Sequence, residues 1–147
     1  GLEFRADWRV GEQDTLGLRY AETDGRYDSN LDNRVDSDLD GNNVSPDRIN
    51  LSWEHIWSEG INTRLQVSYL EDREFRNRTG AIYNSFDGYT TTDLTAQVAG
   101  FGGNFNLSVQ NLTNRDYFTY YSQSNPLDVR NFKGVGRSFT VAWQRSF

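Results

Sequence analysis

Residues 2–10 read LEFRADWRV, and every second side chain in this stretch is apolar. Leu2, Phe4, Ala6, Trp8 and Val10 alternate there with two acids and two arginines. A period of two residues is typical of a β-strand with one apolar and one polar face. The alternation returns at residues 16–20, 49–57, 65–69, 94–98, 105–109 and 139–147. The sequence therefore predicts an all-β fold of about seven strands, with no clear helical segment.

The connections between these strands alternate strictly between short and long. Short turns fall at residues 11–14, 58–60 and 100–103, and long connections span roughly residues 24–47, 72–88 and 114–135. Long loops without structure are uncommon in compact soluble domains. Outer-membrane barrels, in contrast, carry short periplasmic turns and long extracellular loops. The pattern favours a segment of an antiparallel up-and-down transmembrane β-barrel over a soluble β-sandwich.

The aromatic residues favour the same interpretation. They make up 14% of a chain whose mean hydropathy is only −0.79. Many fall near strand ends on the apolar face, where outer-membrane barrels have their interfacial girdles. These residues are Trp8, Tyr20, Trp53, Trp57, Tyr69, Trp143 and Phe147.

Composition excludes several other classes of protein. The formal net charge is −6, whereas a nucleic-acid-binding module needs a basic patch. No run approaches the roughly 18 apolar residues of a membrane helix, and no signal peptide opens the sequence. The chain has no cysteine for disulfides or thiolate metal sites. It also has no methionine, so we expect it to be a processed or excised piece of a longer protein.

The last sixty residues carry three recognisable motifs. Residues 88–94 read GYTTTDL, residues 109–117 read VQNLTNRDY, and GVGR at residues 134–137 precedes a final strand that ends at Phe147. In this combination the chain resembles the C-terminal end of TonB-dependent outer-membrane receptors. The run Tyr120–Gln123 most resembles the branch that takes up ferric siderophores.

That resemblance implies a barrel of about 22 strands filled by an N-terminal plug, of which residues 1–147 are the last seven strands. It implies an outer-membrane location and several partners. These are the lipid bilayer, a ferric siderophore, the energy-transducing TonB complex through the missing plug, and the assembly machinery through the C-terminal strand. A different class stays open: a small structural or adhesive outer-membrane barrel with a calcium-binding surface loop.

An enzyme is not predicted. His55 is the one histidine of the chain, and the sequence contains no GxSxG elbow. His55 falls on the predicted apolar face between Trp53 and Trp57, which is typical of an interfacial ring near lipid headgroups. No cofactor is expected apart from the calcium ion considered next.

The first long connection contains a possible calcium loop. Asp36, Asp38 and Asp40 precede Gly41 in a D-x-D-x-D-G pattern, and Asp47 is the twelfth residue, where a closing carboxylate belongs. Oxygen ligands at alternate positions suit Ca²⁺. Flanking helices are missing, however, and a solvated acidic loop explains the same residues.

The third long connection contains the candidate ligand-binding residues. Aromatic and basic groups at a barrel mouth can stack on and pair with an anionic ferric chelate. The residues that we select are Tyr120, Tyr121, Gln123 and Arg130. The alternative is that the aromatic residues form an outer girdle or pack one loop against another.

The final strand contains a candidate assembly signal. The resembled family ends in an aromatic residue on the lipid side of the last strand. Phe139, Val141, Trp143 and Phe147 keep this pattern, and Arg145 interrupts it. An arginine there can extend its charged head to water at the periplasmic interface.

Overall fold

The fold is built around one antiparallel sheet of seven strands. A computed structural model describes residues 1–124 and 132–145. The strands of the main sheet are β1 (Leu2–Val10), β2 (Asp14–Glu22), β5 (Arg48–Ser58), β6 (Ile61–Leu70), β9 (Tyr89–Gly100), β10 (Gly103–Gln110) and β11 (Ser138–Gln144). They pair in the order β1-β2-β5-β6-β9-β10-β11, so each strand lies beside its neighbours along the chain. The prediction of seven antiparallel strands is confirmed.

The sheet is open, with β1 and β11 at its two edges. All seven strands belong to this one sheet, so they do not divide into the two packed layers of a sandwich. Among residues 1–124 and 132–145, no helix is long and apolar enough to span a membrane.

All three short connections lie at one end of the sheet, which we call the short-turn end. The turn at Phe101 and Gly102 has a positive φ at both residues, 54° and 72°. This geometry matches the natural twist of paired strands, and it is why glycine is favoured there. Gly11, with φ 77°, makes a similar reversal between β1 and β2.

The three long connections lie at the opposite end and contain structure that the sequence did not predict. The first contains the small hairpin of β3 (Arg26–Tyr27) and β4 (Ser37–Asp38), and the second contains that of β7 (Arg73–Arg76) and β8 (Ile82–Phe86). The third contains a single helical turn, α1 (Tyr120–Ser124). The expectation of no helix is therefore wrong for these five residues. One turn is too short to show the periodicity from which a helix is predicted.

The buried apolar residues lie in the long connections and not on the main sheet. In the part of the chain that the structure describes they are Val44, Phe75 and Phe86. We call the assembly of residues 23–47, 71–88, 111–124 and 132–137 the loop cap. The hydrophobic core of the described residues is thus at one end of the sheet.

Candidate functional site

The main sheet has one continuous apolar face. The register aligns Trp8 with Leu16, Leu16 with Trp53, and Trp53 with Leu65. The same row continues through Leu94 and Val109 to Phe139. Trp8 and Phe139, at the two ends of the row, are 66% and 71% exposed, and Leu65, Leu94 and Val109 in its middle are half-buried by their neighbours in the sheet. Apolar side chains of seven strands therefore form one surface that the described residues leave open.

Aromatic residues border this apolar face at both ends. Toward the short-turn end lie Trp8, Trp57, Phe105 and Trp143, and toward the loop cap lie Phe4, Tyr20, Tyr69 and Phe139. Smaller aliphatic residues lie between the two groups, among them Ala6, Leu18, Leu51, Val67, Leu107 and Val141. Trp53 is an exception, because it lies near the middle of β5.

His55 lies where the sequence places it, between Trp53 and Trp57. Its ring meets that of Trp57 edge-on at 4.4 Å and that of Trp53 at 5.7 Å. Its Nδ1 lies 2.8 Å from a carboxylate oxygen of Asp14, which also accepts the indole N–H of Trp53 at 2.7 Å. The ring is thus fixed by one acid and two indoles at the short-turn end, as part of the surface.

The opposite face of the sheet is polar across all seven strands. Arg64 donates to Glu54 at 2.6 Å and to Gln66 at 3.2 Å. Gln66 then donates to Ser68, whose hydroxyl donates to Asn50 at 2.8 Å. These lateral bonds satisfy the side chains on the middle of the face without any covering layer. The face is suited to contact with water or a polar ligand.

Two phenylalanines form the centre of the loop cap. Phe86 meets the rings of Tyr120 and Tyr89 edge-on, at 4.8 Å and 5.9 Å. Phe75 lies 6.3 Å from the ring of Tyr83. Both phenylalanines are fully buried. The second long connection therefore supplies the core against which the third one packs.

Arg73 joins the second long connection to the first. Its guanidinium donates to the carbonyl of Thr23 at 2.6 Å and to that of Ser45 at 3.3 Å. It also pairs with Asp24 at 3.4 Å and lies 3.8 Å from Asp47. This mostly buried cation thereby holds both ends of the first connection against β7.

The ligand-binding residues predicted in the third connection differ from one another in exposure and in hydrogen bonding. The Tyr120 hydroxyl donates to the carbonyl of Val44 at 2.7 Å, and burial raises the pKa of this hydroxyl. The Gln123 amide accepts the backbone N–H of Asp87 and donates to the carbonyls of Asp87 and Phe118. Tyr121 is exposed on the surface of the loop cap. Arg130 lies outside the described residues.

The four predicted calcium ligands each have protein partners. Asp36 accepts from the backbone of Ser29 and the hydroxyl of Ser37, and Asp40 accepts from Asn42 and Asn43. Asp38 pairs with Arg26 at 3.3 Å and accepts the backbone N–H of Arg76. Asp47 accepts the backbone N–H of Thr23 at 3.0 Å.

Within residues 1–124 and 132–145, no group of three or more histidine, cysteine, aspartate or glutamate side chains is arranged to hold a metal ion. Burial alone raises the pKa of Asp36, but hydrogen bonds from Ser29 and Ser37 and the charge of Arg78 bring it below its ordinary value. These carboxylates therefore join parts of the loop cap, and calcium binding stays a prediction.

Sequence reasoning missed the structural role of the asparagine motif at residues 109–117. Asn111 is buried with φ 49°, and its side chain bonds the N–H and carbonyl of Arg115 and the carbonyl of Val135. Asn114, with φ 52°, accepts the backbone N–H of Arg137. Asparagine tolerates this left-handed backbone and can donate and accept at once. The motif thus fixes the chain on both sides of the third connection.

The predicted assembly residues of the final strand lie on the apolar face. Phe139 pairs with Val109, Val141 with Leu107, and Trp143 with Phe105. The side chains of Phe139, Val141 and Trp143 are all exposed. Phe147 lies outside the described residues. A comparison with models of protein families finds no match for this chain, and no solved structure matches it.

Proposed function

We propose that this chain forms seven strands in the wall of an outer-membrane transport barrel of the TonB-dependent type, which takes up a ferric siderophore. The observation that carries the proposal is the two-faced sheet. Its apolar face is uncovered across seven strands, while its polar face carries charged and hydrogen-bonded side chains. In a barrel wall, lipid would cover the apolar face and the water of the lumen would solvate the polar face.

Strand length and aromatic placement support this proposal. Most strands of the main sheet have 8 to 12 residues, against the 9–11 or so that a tilted strand needs to cross a bilayer. Tryptophan, tyrosine and phenylalanine at both borders of the apolar face suit the two headgroup regions, where amphipathic rings are favoured.

The stagger of the strands also supports a barrel. One continuous row of the register runs through Asp14, His55, Thr63, Ala96 and Leu107. Asp14 is the first residue of β2, Thr63 the third of β6 and Leu107 the fifth of β10. With each strand from β2 to β10, the row therefore crosses on average one residue farther from the short-turn end. With ~3.4 Å per residue and ~4.8 Å between strands, this corresponds to a tilt of about 35°, near that of closed barrels.

The asymmetry of the two ends supports a receptor in particular. The long connections and the buried apolar residues of the described part of the chain lie at one end, and minimal turns lie at the other. This division suits a barrel that presents a structured surface to the outside and short turns to the periplasm. The motifs at residues 88–94, 109–117 and 134–137 support the TonB-dependent type.

The membrane arrangement can be tested with introduced thiols, because the chain has no cysteine of its own. Val67 and Gln66 are neighbours on β6 that face opposite sides of the sheet. A bimane probe is attached to the Val67→Cys and Gln66→Cys variants of the full-length barrel, freed of any other cysteine and refolded into phosphocholine vesicles. Doxyl-labelled lipid should quench the probe at Val67→Cys, and aqueous iodide should quench it at Gln66→Cys. Equal quenching at both positions would contradict a lipid-facing sheet.

Transport requires a separate measurement in cells. We expect deletion of the gene to abolish uptake of radiolabelled iron from at least one member of a panel of ferric hydroxamates, catecholates and carboxylates. Uptake from ferrous iron should be unchanged. If deletion leaves uptake from every ferric chelate intact, the siderophore assignment is wrong even if the protein is a membrane barrel.

A further inference from the structure

We infer that the polar face contains a binding site for an oxyanion, phosphate or carboxylate, formed by Arg5, Arg19 and Arg48 next to the loop cap. This inference rests on the proposed function, since it takes the polar face to be the path of the ligand. It adds the residues of the barrel wall that bind an anion and the oxygen groups that they recognise.

The first observation is a cavity of about 450 Å³ at the loop-cap end of β1, β2 and β5. Its polar lining consists of the three arginines, Glu3 and Asn50, and Phe4, Tyr20 and Ala21 complete the wall. The charged groups in the lining sum to a net positive charge, although the whole chain has a net charge of −6. The cavity is therefore a local basic site on an acidic protein.

The second observation is the register, which places like charges against each other. Arg5 pairs directly with Arg19 across β1 and β2. Arg19 pairs with Asn50 of β5, so Arg48, two residues before Asn50, is the diagonal neighbour of Arg19. Directly opposed like charges on one face destabilise a sheet. A bound anion between them would remove that repulsion.

The third observation is the contrast with other cations of the chain. Arg64 binds Glu54, Arg73 binds four oxygen atoms in the loop cap, and Arg5 binds Asp7 at 2.7 Å. Within residues 1–124 and 132–145, the guanidinium groups of Arg19 and Arg48 have no acceptor at hydrogen-bonding distance. Both are exposed on the polar face.

The chemistry of guanidinium determines the class of ligand. A planar fork of N–H donors binds carboxylate or phosphate oxygens in pairs, and such charge-assisted bonds are stronger than neutral ones. Two arginines without partners, supported by a third, suit an anion with at least two acceptor oxygens. The carboxylate of Glu3 in the same lining repels an anion, so it limits the total anionic charge that the site accepts.

The test measures anion binding by calorimetry on the full-length barrel that contains this chain, refolded in phosphocholine vesicles, at low salt. Inorganic phosphate and succinate are the two probes, and glucose is the uncharged control. We expect one binding event for at least one of the anions, weakened by added sodium chloride. The Arg19→Gln and Arg48→Gln variants should each weaken it at least about tenfold. Arg19→Lys should restore part of the loss, because it keeps the charge without the fork.

Arg9→Gln is the matched control. Arg9 shares strand and face with Arg5 but lies at the short-turn end, opposite Thr15. The Arg9→Gln substitution should leave anion binding unchanged. Equal loss in Arg9→Gln and Arg19→Gln would overturn the site in favour of diffuse charge, and so would the absence of binding at millimolar anion. The bimane measurement on the same vesicles distinguishes the two failures, because lipid-side quenching at Val67→Cys can hold while anion binding does not.

Discussion

Gly134 shows at the scale of single residues how the third long connection is fixed. The ring of Tyr117 lies so close to Gly134 that an added Cβ would overlap it. Tyr117 in turn stacks on Tyr89, the first residue of β9, with ring centroids 4.2 Å apart. The backbone of Gly134 does not have a positive φ, so the need for glycine comes from this close packing and not from backbone conformation.

We expect Gly134→Ala to destabilise the folded protein by about 1–3 kcal/mol, the usual cost of overpacking. Gly136→Ala is the matched control, since the nearest atom to its added Cβ would be the Asn114 side-chain oxygen at 3.5 Å. Urea unfolding of the refolded protein in detergent, followed by tryptophan fluorescence, compares the two. Equal midpoints would show that Tyr117 moves aside without cost.

Asp28 makes the first long connection sensitive to acid. Burial raises the pKa of its carboxyl. Hydrogen bonds from the backbone N–H groups of Asn33, Asn30, Asp32 and Leu31 lower it by more, so the net pKa lies below the ordinary value. A depressed pKa in the folded state means that the ionised form stabilises the turn. That contribution is complete above the unfolded pKa of about 4 and is lost as the pH falls through the folded value.

Residues 29–34 should therefore lose protection from hydrogen exchange below about pH 4, after correction for the intrinsic rate. The Asp28→Asn variant should show reduced protection already at neutral pH, and no further loss in acid. Protection that is the same in both proteins at every pH would contradict a role for the Asp28 carboxylate.

At the scale of elements, β10 offers the sharpest test of which face meets lipid. Leu107 lies on the apolar face opposite Ala96 and Val141, and Ser108 lies on the polar face opposite Thr95 and Thr140. Leu107→Arg should cost about 2–4 kcal/mol of stability in a bilayer, whereas Ser108→Arg should be tolerated. Reversible folding into vesicles measures both variants. Equal costs at the two positions would be incompatible with a lipid-facing Leu107.

The elements of the main sheet were predicted from sequence almost completely, and those of the long connections were not. Residues 2–10 alternate so regularly that both the strand and its faces follow from local pattern alone. The hairpins of β3–β4 and β7–β8 are too short for such a pattern. The β7–β8 hairpin contains Phe75 and Phe86, which bury against neighbouring connections, and that burial is a non-local effect.

At the scale of the whole molecule, Arg73 connects parts of the chain that are distant in sequence. It lies about 50 residues from Thr23 and 28 from Ser45, both of which it binds through their carbonyls. We expect Arg73→Gln to make the loop cap much more sensitive to limited proteolysis at residues 23–47. The thermal stability of the main sheet should change less, because none of its strand pairs involves Arg73.

Arg34→Gln is the control for that measurement. Arg34 is an exposed cation within residues 23–47, and it donates a hydrogen bond through its backbone N–H. Cleavage should stay at the level of the unchanged protein. If the Arg73→Gln protein is cleaved no faster than the Arg34→Gln protein, the loop cap does not depend on Arg73.

The sequence by itself determined the strands of the main sheet, their alternation of faces, and the separation of short from long connections. Each of these follows from neighbouring residues: period-two alternation defines faces, and glycine at positive φ permits tight turns. The predicted positions of His55 between two tryptophans and of Phe139, Val141 and Trp143 on one face follow from the same counting.

Only the tertiary structure decided which distant residues meet. Tyr120 reaches Val44 across 76 residues, so a side chain predicted to bind ligand also joins two connections. Arg5, Arg19 and Arg48 come together because the strand register aligns them, and nothing in their spacing along the chain indicates it. Register and loop packing depend on long-range burial and pairing, and these energies are absent from any local window of sequence.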